Sequence, residues 1–163
     1  MKYRKKNLPI PPAVWKNPLY FIAFGFGSGA SPIAPGTVGT IVAIPFYLLL
    51  SQLSLTGYLF AVVAVIITSA WLCEHISKET HTHDHPGMNI DEFAGFFVTM
   101  IHAPHGWKWI ILGFVFFRIF DIVKPWPINK IDENIHGGVG MVLDDVVAGI
   151  FSMVLIQILA ALL

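Results

Sequence analysis

Apolar residues fall into runs separated by short polar segments, and this pattern predicts a helical protein. Residues 56–73 form an uncharged run of 18, and the 18 residues at 146–163 also carry no formal charge. A helix of about 18 residues is close to the minimum that crosses a bilayer. Shorter apolar runs occupy residues 40–53, 93–101 and 107–120. We therefore predict an all-α, membrane-embedded helical bundle with about five apolar helices.

The two apolar runs on either side of Pro104 are short for membrane spans. Helices of roughly 12 to 15 residues reach about 18 to 23 Å, whereas a hydrocarbon core is about 30 Å thick. We expect residues 92–120 to form short helices, which either span with help from flanking residues or make a re-entrant hairpin. The segments 74–89 and 121–140 are polar and predict loops, as does the segment 25–39, which is rich in Gly, Pro, Ser and Thr.

Composition supports a membrane protein and excludes several other classes. The chain of 163 residues is 55% hydrophobic and 12% charged, where an average soluble domain has about 25% charged residues. This excludes a disordered chain, and the zero net charge disfavours a nucleic-acid partner. The single cysteine, Cys73, excludes an internal disulfide and a cysteine-cluster zinc site. The length indicates one domain, residues 1–163, in which residues 1–18 form a basic, proline-rich N-terminal arm.

Basic residues are unevenly distributed, and their placement predicts an orientation. Five of the ten Lys and Arg residues precede residue 17. Because cytoplasmic loops carry an excess of Lys and Arg, we place the N-terminus, loop 74–91 and loop 121–140 in the cytoplasm. Nine of the ten basic residues then lie on the inner side, and Lys108 is the exception. The pattern predicts a multi-pass protein with its C-terminus outside.

Carboxylates concentrate at one predicted end of the apolar segments, where desolvation makes them costly. Asp91 and Glu92 begin one segment, Asp121 ends the next, and Asp144 and Asp145 precede the last. Capping and the helix dipole explain one acid at a helix start. They do not explain two pairs of adjacent acids, or an acid at a helix C-terminus. We therefore predict that these five carboxylates share a metal or catalytic site on the cytoplasmic side.

The chemistry of these groups indicates magnesium and phosphate. Oxygen ligands without a Cys or His core favour Mg²⁺, which keeps several waters and binds substrate phosphate. Five carboxylates could hold one ion and leave a general base, or hold two ions. Arg118 lies three residues before Asp121 and so shares its helix face. We predict that Arg118 and Lys124 bind phosphate; for Lys124, a membrane anchor is the simpler alternative.

Two glycines suggest how the acids could be brought together. Gly95 and Gly149 each follow an acid, Asp91 or Asp145, by four residues. A small residue on the same helix face as the acid lets a neighbouring helix approach closely. Helix packing without any functional consequence explains the glycines equally well.

Other polar segments carry weaker signals. The loop 27–40 could offer backbone N–H groups and hydroxyls to an anion just before a helix begins, although a plain turn fits its composition equally well. Its candidate hydroxyls belong to Ser28, Ser31, Thr37 and Thr40. The alternating histidines at 81–85 precede Pro86 and Gly87, and we interpret them as part of a solvated surface loop.

Three blocks of sequence resemble the phosphatidylglycerophosphatase A family. Members of this family are bacterial inner-membrane phosphatases that act in the synthesis of phosphatidylglycerol. The blocks are GSGASPIAPGTVGT at 27–40, IDEFAG at 90–95 and FRIFDIVKPWPINKIDENIHGGVGMVLDDVVAGI at 117–150. They occur in the family's order. The resemblance implies an all-α fold in which helices surround a central one. It also implies Mg²⁺-dependent hydrolysis of phosphatidylglycerophosphate to phosphatidylglycerol and phosphate, in the bacterial inner membrane.

The resemblance further implies roles for individual residues. Catalytic roles fall on Asp91, Asp121, Asp144 and Asp145, and metal binding on these four and Glu92. Phosphate binding falls on Ser31, Thr37, Arg118 and Lys124. Attack by water and formation of an aspartyl-phosphate are both open. A small ion-binding or transport protein is the alternative function, because acids within membranes often mark ion pathways.

Overall fold

The computed structural model describes residues 8–82 and 85–162, and within these ranges it contains seven α-helices and no strand. The predicted all-α fold is therefore confirmed. The helices are α1 (Pro18–Ala23), α2 (Pro35–Leu50), α3 (Leu55–Thr80), α4 (Ile90–Thr99), α5 (Trp107–Val123), α6 (Ile128–Asn134) and α7 (Gly137–Leu162).

Local sequence explains where several helices begin. Asn17 precedes α1, and its side chain accepts a hydrogen bond of 2.9 Å from the backbone N–H of Leu19. Ser54 caps α3 in the same way. Such side chains satisfy N–H groups that have no partner within the helix. Helices α1 and α2 both begin with proline, whose fixed φ suits the first helical position.

Helix α4 is the centre of the molecule. Eight of its ten residues are buried, and α2, α3, α5 and α7 pack around it. Two hydroxyls of α3 bind its backbone: Tyr58 donates to the carbonyl of Phe97 at 2.7 Å, and Ser69 donates to that of Ile90 at 3.3 Å. A helix surrounded by others agrees with the arrangement that the family resemblance implies.

Helices α4 and α7 cross at two glycines. A Cβ atom on Gly149 would collide with the backbone carbonyl of Gly95, and one on Gly95 would lie 2.7 Å from the carbonyl oxygen of Asp145. The predicted close approach of helices at Gly95 and Gly149 is confirmed. Because Asp91 and Asp145 each lie four residues before one of these glycines, the crossing carries the acidic turns of both helices toward each other.

Among the described residues, only α3 and α7 are long and apolar enough to cross a membrane. Each has 26 residues and reaches about 39 Å, and a stretch of 18 residues within it has a mean hydropathy of 2.0 in α3 and 2.2 in α7. Helix α2 is apolar but has 16 residues. The predicted count of about five apolar helices is thus not confirmed: the runs at 93–101 and 107–120 become α4, a ten-residue core helix, and α5, a helix of 17 residues.

Several helices occupy parts of segments that the sequence predicted to be loops. Helix α3 continues to Thr80, α6 lies within 121–140, and α7 begins at Gly137. Helix α7 starts so early because Gly138 packs against the backbone of α3 and donates its N–H to Glu74 at 2.7 Å. Asp144 and Asp145 therefore lie inside α7 and not at its start, which corrects their predicted position. Helix α2 likewise begins within the predicted loop 25–39.

Part of the N-terminal arm packs against the core. Within Pro12–Trp15, a short 3-10 helix, Val14 is fully buried. His85 lies nearby: its ring centroid is 5.1 Å from that of Phe24, and its Nε2 is 3.4 Å from the carbonyl oxygen of Pro9.

The interpretation of residues 81–85 as a solvated loop is wrong at His85, which is buried among these groups. His81, by contrast, is exposed at the end of α3. Residues 83 and 84 lie outside the described residues.

Candidate metal and phosphate site

Three carboxylates from three helices meet beside the α4–α7 crossing. Glu92 lies in the first turn of α4, Asp121 in the last turn of α5, and Asp145 inside α7. One oxygen of each lies within 4.8 Å of the others. The structure thus brings together three of the five predicted acids, and we call Glu92, Asp121 and Asp145 the acid triad.

Arg118 is the cation of this cluster. Its Nη1 pairs with Glu92, and it lies 2.8 Å from Oδ2 of Asp121. The three side chains are largely buried, with 13 to 14% of their surfaces exposed. The predicted shared face of Arg118 and Asp121 on one helix is confirmed. Arg118 consequently holds two members of the acid triad in place.

The acid triad carries more negative charge than its surroundings neutralise. Three carboxylates face one guanidinium, which leaves a formal net charge of −2 when all three are ionised. Asp145 is only 4% exposed, and among the described residues no cation lies within pairing distance of it. An uncompensated buried carboxylate is costly. A divalent cation bound by the oxygens of the acid triad would balance this negative charge, and Mg²⁺ prefers such oxygen ligands. The donor set therefore fits Mg²⁺.

Asp144 has a different environment from its neighbour. Lys124 Nζ pairs with its Oδ2 and also lies 2.7 Å from Oδ1 of Asp132 on α6. Burial lowers the pKa of Lys124, but the carboxylates of Asp144 and Asp132 outweigh burial and raise this pKa above its usual range. Lys124 therefore stays charged. The other carboxylate oxygen of Asp144, Oδ1, is buried and has no hydrogen-bond partner within residues 8–82 and 85–162.

The remaining predicted residues lie around the cluster. Asp91 is partly buried in the first turn of α4, where its Oδ1 accepts the backbone N–H of Glu92. The hydroxyl of Ser31 makes a local bond of 2.8 Å to the carbonyl of Ile33. Thr37 is partly buried in the first turn of α2. The structure does not bring Ser31 into hydrogen-bond contact with the acid triad.

The first turns of α2 approach the acid triad directly. A Cβ on Gly36 would collide with the Glu92 carboxylate. One turn later, Oγ1 of Thr40 lies 3.3 Å from a carboxylate oxygen of Glu92 and accepts a hydrogen bond of 3.5 Å from Arg118 Nη1. Thr40 was only one of several candidate hydroxyls in the sequence. Its place in the site depends on the packing of α2, which sequence spacing does not report.

Two residues of the site were missed in the sequence, Asp132 and Asn89. Asn89 precedes α4, is 1% exposed, and donates from Nδ2 to Ser28 Oγ and to the carbonyl of Pro35, both at 2.9 Å. It ties the loop before α2 to the start of α4. The available signal was a polar amide two residues before Asp91, at the start of the block IDEFAG. Asp132 had no comparable signal, because it occurs among other charged residues of a polar segment.

Comparisons with known proteins agree with this geometry. The sequence model of the family Phosphatidylglycerophosphatase A matches residues 21–160. The chain is 45% identical over 137 residues to phosphatidylglycerophosphatase A of Escherichia coli, which covers 83% of this chain and 80% of that protein. The corresponding protein of Haemophilus influenzae is 35% identical over 153 residues, with 93% and 94% covered.

A third relative has a different name. A putative phosphatidylinositol-3-phosphatase of Bacteroides thetaiotaomicron is 39% identical over 145 residues, covering 84% of this chain and 90% of that protein. No solved structure matches the chain. The resemblance of the three sequence blocks is thus confirmed by similarity over most of the chain.

Proposed function

Because this chain belongs to the phosphatidylglycerophosphatase A family, whose members are phosphoric monoester hydrolases, we propose that it hydrolyses phosphatidylglycerophosphate with Mg²⁺. The products are phosphatidylglycerol and phosphate, and the reaction is a step of phospholipid biosynthesis. The observation that carries the proposal is the net charge of −2 in the acid triad, at a site that three helices build.

The acid triad supplies the first ligands for the ion. Glu92, Asp121 and Asp145 would hold Mg²⁺, and Asp91 and Asp144 stay predicted as further ligands. When bound, the ion supplies Lewis acidity toward a phosphoryl oxygen and toward water. It also removes the repulsion that a phosphate dianion would meet from the carboxylates.

The phosphate itself is bound by groups of the chain. Arg118 and Lys124 offer charge-assisted donors that stabilise a transferring phosphoryl group. The N-terminus of α2 adjoins Glu92, and backbone N–H groups at a helix N-terminus favour anions. Ser31 and Thr37 are predicted to add hydroxyl donors from this same segment.

A carboxylate then has to move a proton or attack phosphorus. We assign this role to the aspartates Asp91, Asp121, Asp144 and Asp145. In one route an aspartate accepts a proton from water, the water oxygen bonds to phosphorus, the ester P–O bond breaks, and the departing glycerol oxygen takes up a proton. In the other, an aspartate oxygen attacks phosphorus as the ester P–O bond breaks and the glycerol oxygen takes up a proton; water then hydrolyses the acyl phosphate to phosphate and the free aspartate. Asp144 is our candidate for the base, because its Oδ1 has no hydrogen-bond partner among the described residues.

Apolar surface next to the site suits a lipid substrate. A shallow groove of about 320 Å³ runs along α5, is lined by side chains such as Val115 and Ile119, and is bordered by Arg118. A lipid phosphate at Arg118 would place an acyl chain along this groove. Together with the length of α3 and α7, this supports a location in the bacterial inner membrane. We infer a multi-pass topology with the site facing the cytoplasm.

The test is a phosphate-release assay on purified protein in detergent. We expect release from phosphatidylglycerophosphate with Mg²⁺, and none after chelation with EDTA. Phosphatidic acid and phosphatidylinositol 3-phosphate, presented in identical micelles, report headgroup preference. Asp121→Asn should abolish release, and Glu133→Gln, on the exposed surface of α6, should not. Absence of Mg²⁺-dependent release from every lipid would overturn the proposal.

A further inference from the structure

Lys124 occupies a backbone position that does not favour a lysine. It ends α5 with φ +46°, in the left-handed region where glycine and asparagine are preferred. A lysine in this conformation carries a cost that its side-chain contacts must offset. The contacts of the Lys124 side chain are therefore important for keeping the residue in this conformation.

Two carboxylates hold Lys124 from two different helices. Asp144 of α7 is 5% exposed, whereas the side chain of Asp132 of α6 is 49% exposed. An ammonium group has three N–H donors. Asp144 and Asp132 each accept one, which leaves one donor for another acceptor.

We propose that Asp132 is a positioning residue, which orients the remaining N–H of Lys124 toward the substrate phosphate. With Asp144 alone, a single contact holds the ammonium, and the flexible four-carbon stem of Lys124 lets Nζ change position around that contact. With Asp132 bound as well, anchors on two helices hold Nζ in one place, and the direction of the third N–H is then determined by tetrahedral geometry. This inference rests on the proposed function, in which Lys124 binds phosphate.

The activity test is a double-mutant cycle on the full chain in detergent, with phosphatidylglycerophosphate and Mg²⁺. Because the Asp132 contact is half-exposed, we expect Asp132→Asn to lower kcat/KM by about three- to tenfold. In a Lys124→Met background the same substitution should have no further effect, since Asp132 acts only through Lys124. Asp132→Glu, which keeps the carboxylate, should restore most of the activity.

Glu133→Gln is the matched control. Glu133 is the neighbour of Asp132 on α6 and has its own ion pair of 3.0 Å with Lys130, so its loss removes a charge of the same sign nearby. We expect unchanged kcat/KM in this variant. The inference is overturned if Glu133→Gln lowers kcat/KM as much as Asp132→Asn does, because the effect would then be a general one of charge. It is also overturned if Asp132→Asn lowers kcat/KM by the same factor in the Lys124→Met background, because Asp132 would then not act through Lys124.

A second readout is independent of catalysis. Amine labelling followed by mass spectrometry measures the exposure of each lysine, with Lys78 of α3 as internal reference. Asp132→Asn should raise labelling of Lys124 several-fold, and Glu133→Gln should leave it unchanged. Unchanged labelling in Asp132→Asn would overturn the inference. If the wild-type protein releases no phosphate, the proposed function fails, whereas the labelling still decides whether Asp132 holds Lys124.

Discussion

Asp144 and Asp145 are neighbours in one helix and are equally buried, but the charged groups nearest to them have opposite signs. Adjacent helical residues point about 100° apart, so each aspartate faces a different element. Asp144 meets Lys124, whereas Asp145 meets two more carboxylates of the acid triad. The burial of an acid therefore does not indicate its role; the balance of charge around it does. One aspartate is neutralised by the chain itself, and the other requires a cation from outside.

The sharpest test of this difference compares two isosteric variants. We expect Asp145→Asn to weaken Mg²⁺ binding by at least about a hundredfold and to reduce kcat by about a thousandfold or more. Without Mg²⁺ the same variant should be more stable than wild type by about 1 to 3 kcal/mol, because a buried uncompensated charge is lost. Isothermal titration and thermal unfolding in detergent with EDTA measure the two effects.

Asp144→Asn is the matched comparison. It leaves the ammonium of Lys124 with Asp132 alone, so we expect a loss of stability of about 1 to 3 kcal/mol and a smaller loss of Mg²⁺ affinity than in Asp145→Asn. If both variants change the stability of the Mg²⁺-free protein in the same direction, Asp144 and Asp145 do not differ in how their charges are neutralised.

We expect a substitution at the crossing of α4 and α7 to lower stability and activity nearly as much as the removal of a charge. Gly149→Ala places a methyl group against the backbone carbonyl of Gly95, which cannot move aside as a side chain can. We expect destabilisation by about 1 to 3 kcal/mol, with a drop in activity as Asp145 moves away from the other acids. Thermal unfolding and phosphate release measure the outcome.

Gly57→Ala serves as the control for a helical glycine. A Cβ at Gly57 in α3 would lie 3.4 Å from its nearest neighbours, Leu53 Cβ and Ser54 Oγ. The substitution should be neutral or slightly stabilising, since alanine favours helices. Equal stability losses in Gly57→Ala and Gly149→Ala would contradict a special role for the crossing.

The smallest effect is expected at Thr40. Its hydroxyl donates to the carbonyl of Gly36 at 3.0 Å and contacts Glu92, so it supports the acid triad without carrying charge. Thr40→Val should lower kcat/KM by about five- to tenfold, which corresponds to roughly 1 kcal/mol for one hydrogen bond. Thr40→Ser, which keeps the hydroxyl, should approach wild-type activity. A valine variant with full activity would remove Thr40 from the site.

Much of the site was visible in the sequence as a set of residue types. The acids and Arg118 stood out because charges are scarce in this chain, and Gly95 and Gly149 indicated where two helices could meet. The predicted count of about five apolar helices is not confirmed, because an apolar run in a sequence has the same composition whether lipid or other helices cover it. Helix α4 is the example: eight of its ten residues are buried, and its apolar side chains form the core.

Hydrophobic pattern and local chemistry were enough to establish that this chain is helical and where its unusual charges lie, since both depend on neighbours along the chain. Which charged residues pair with each other is determined only in the folded structure. Whether Asp144 or Asp145 meets a lysine depends on how α5, α6 and α7 pack, and residues that pair across helices can be as far apart in sequence as Glu92 and Arg118. Charge neutralisation is decided over a few ångströms of space, and only the arrangement of helices determines which charges come that close.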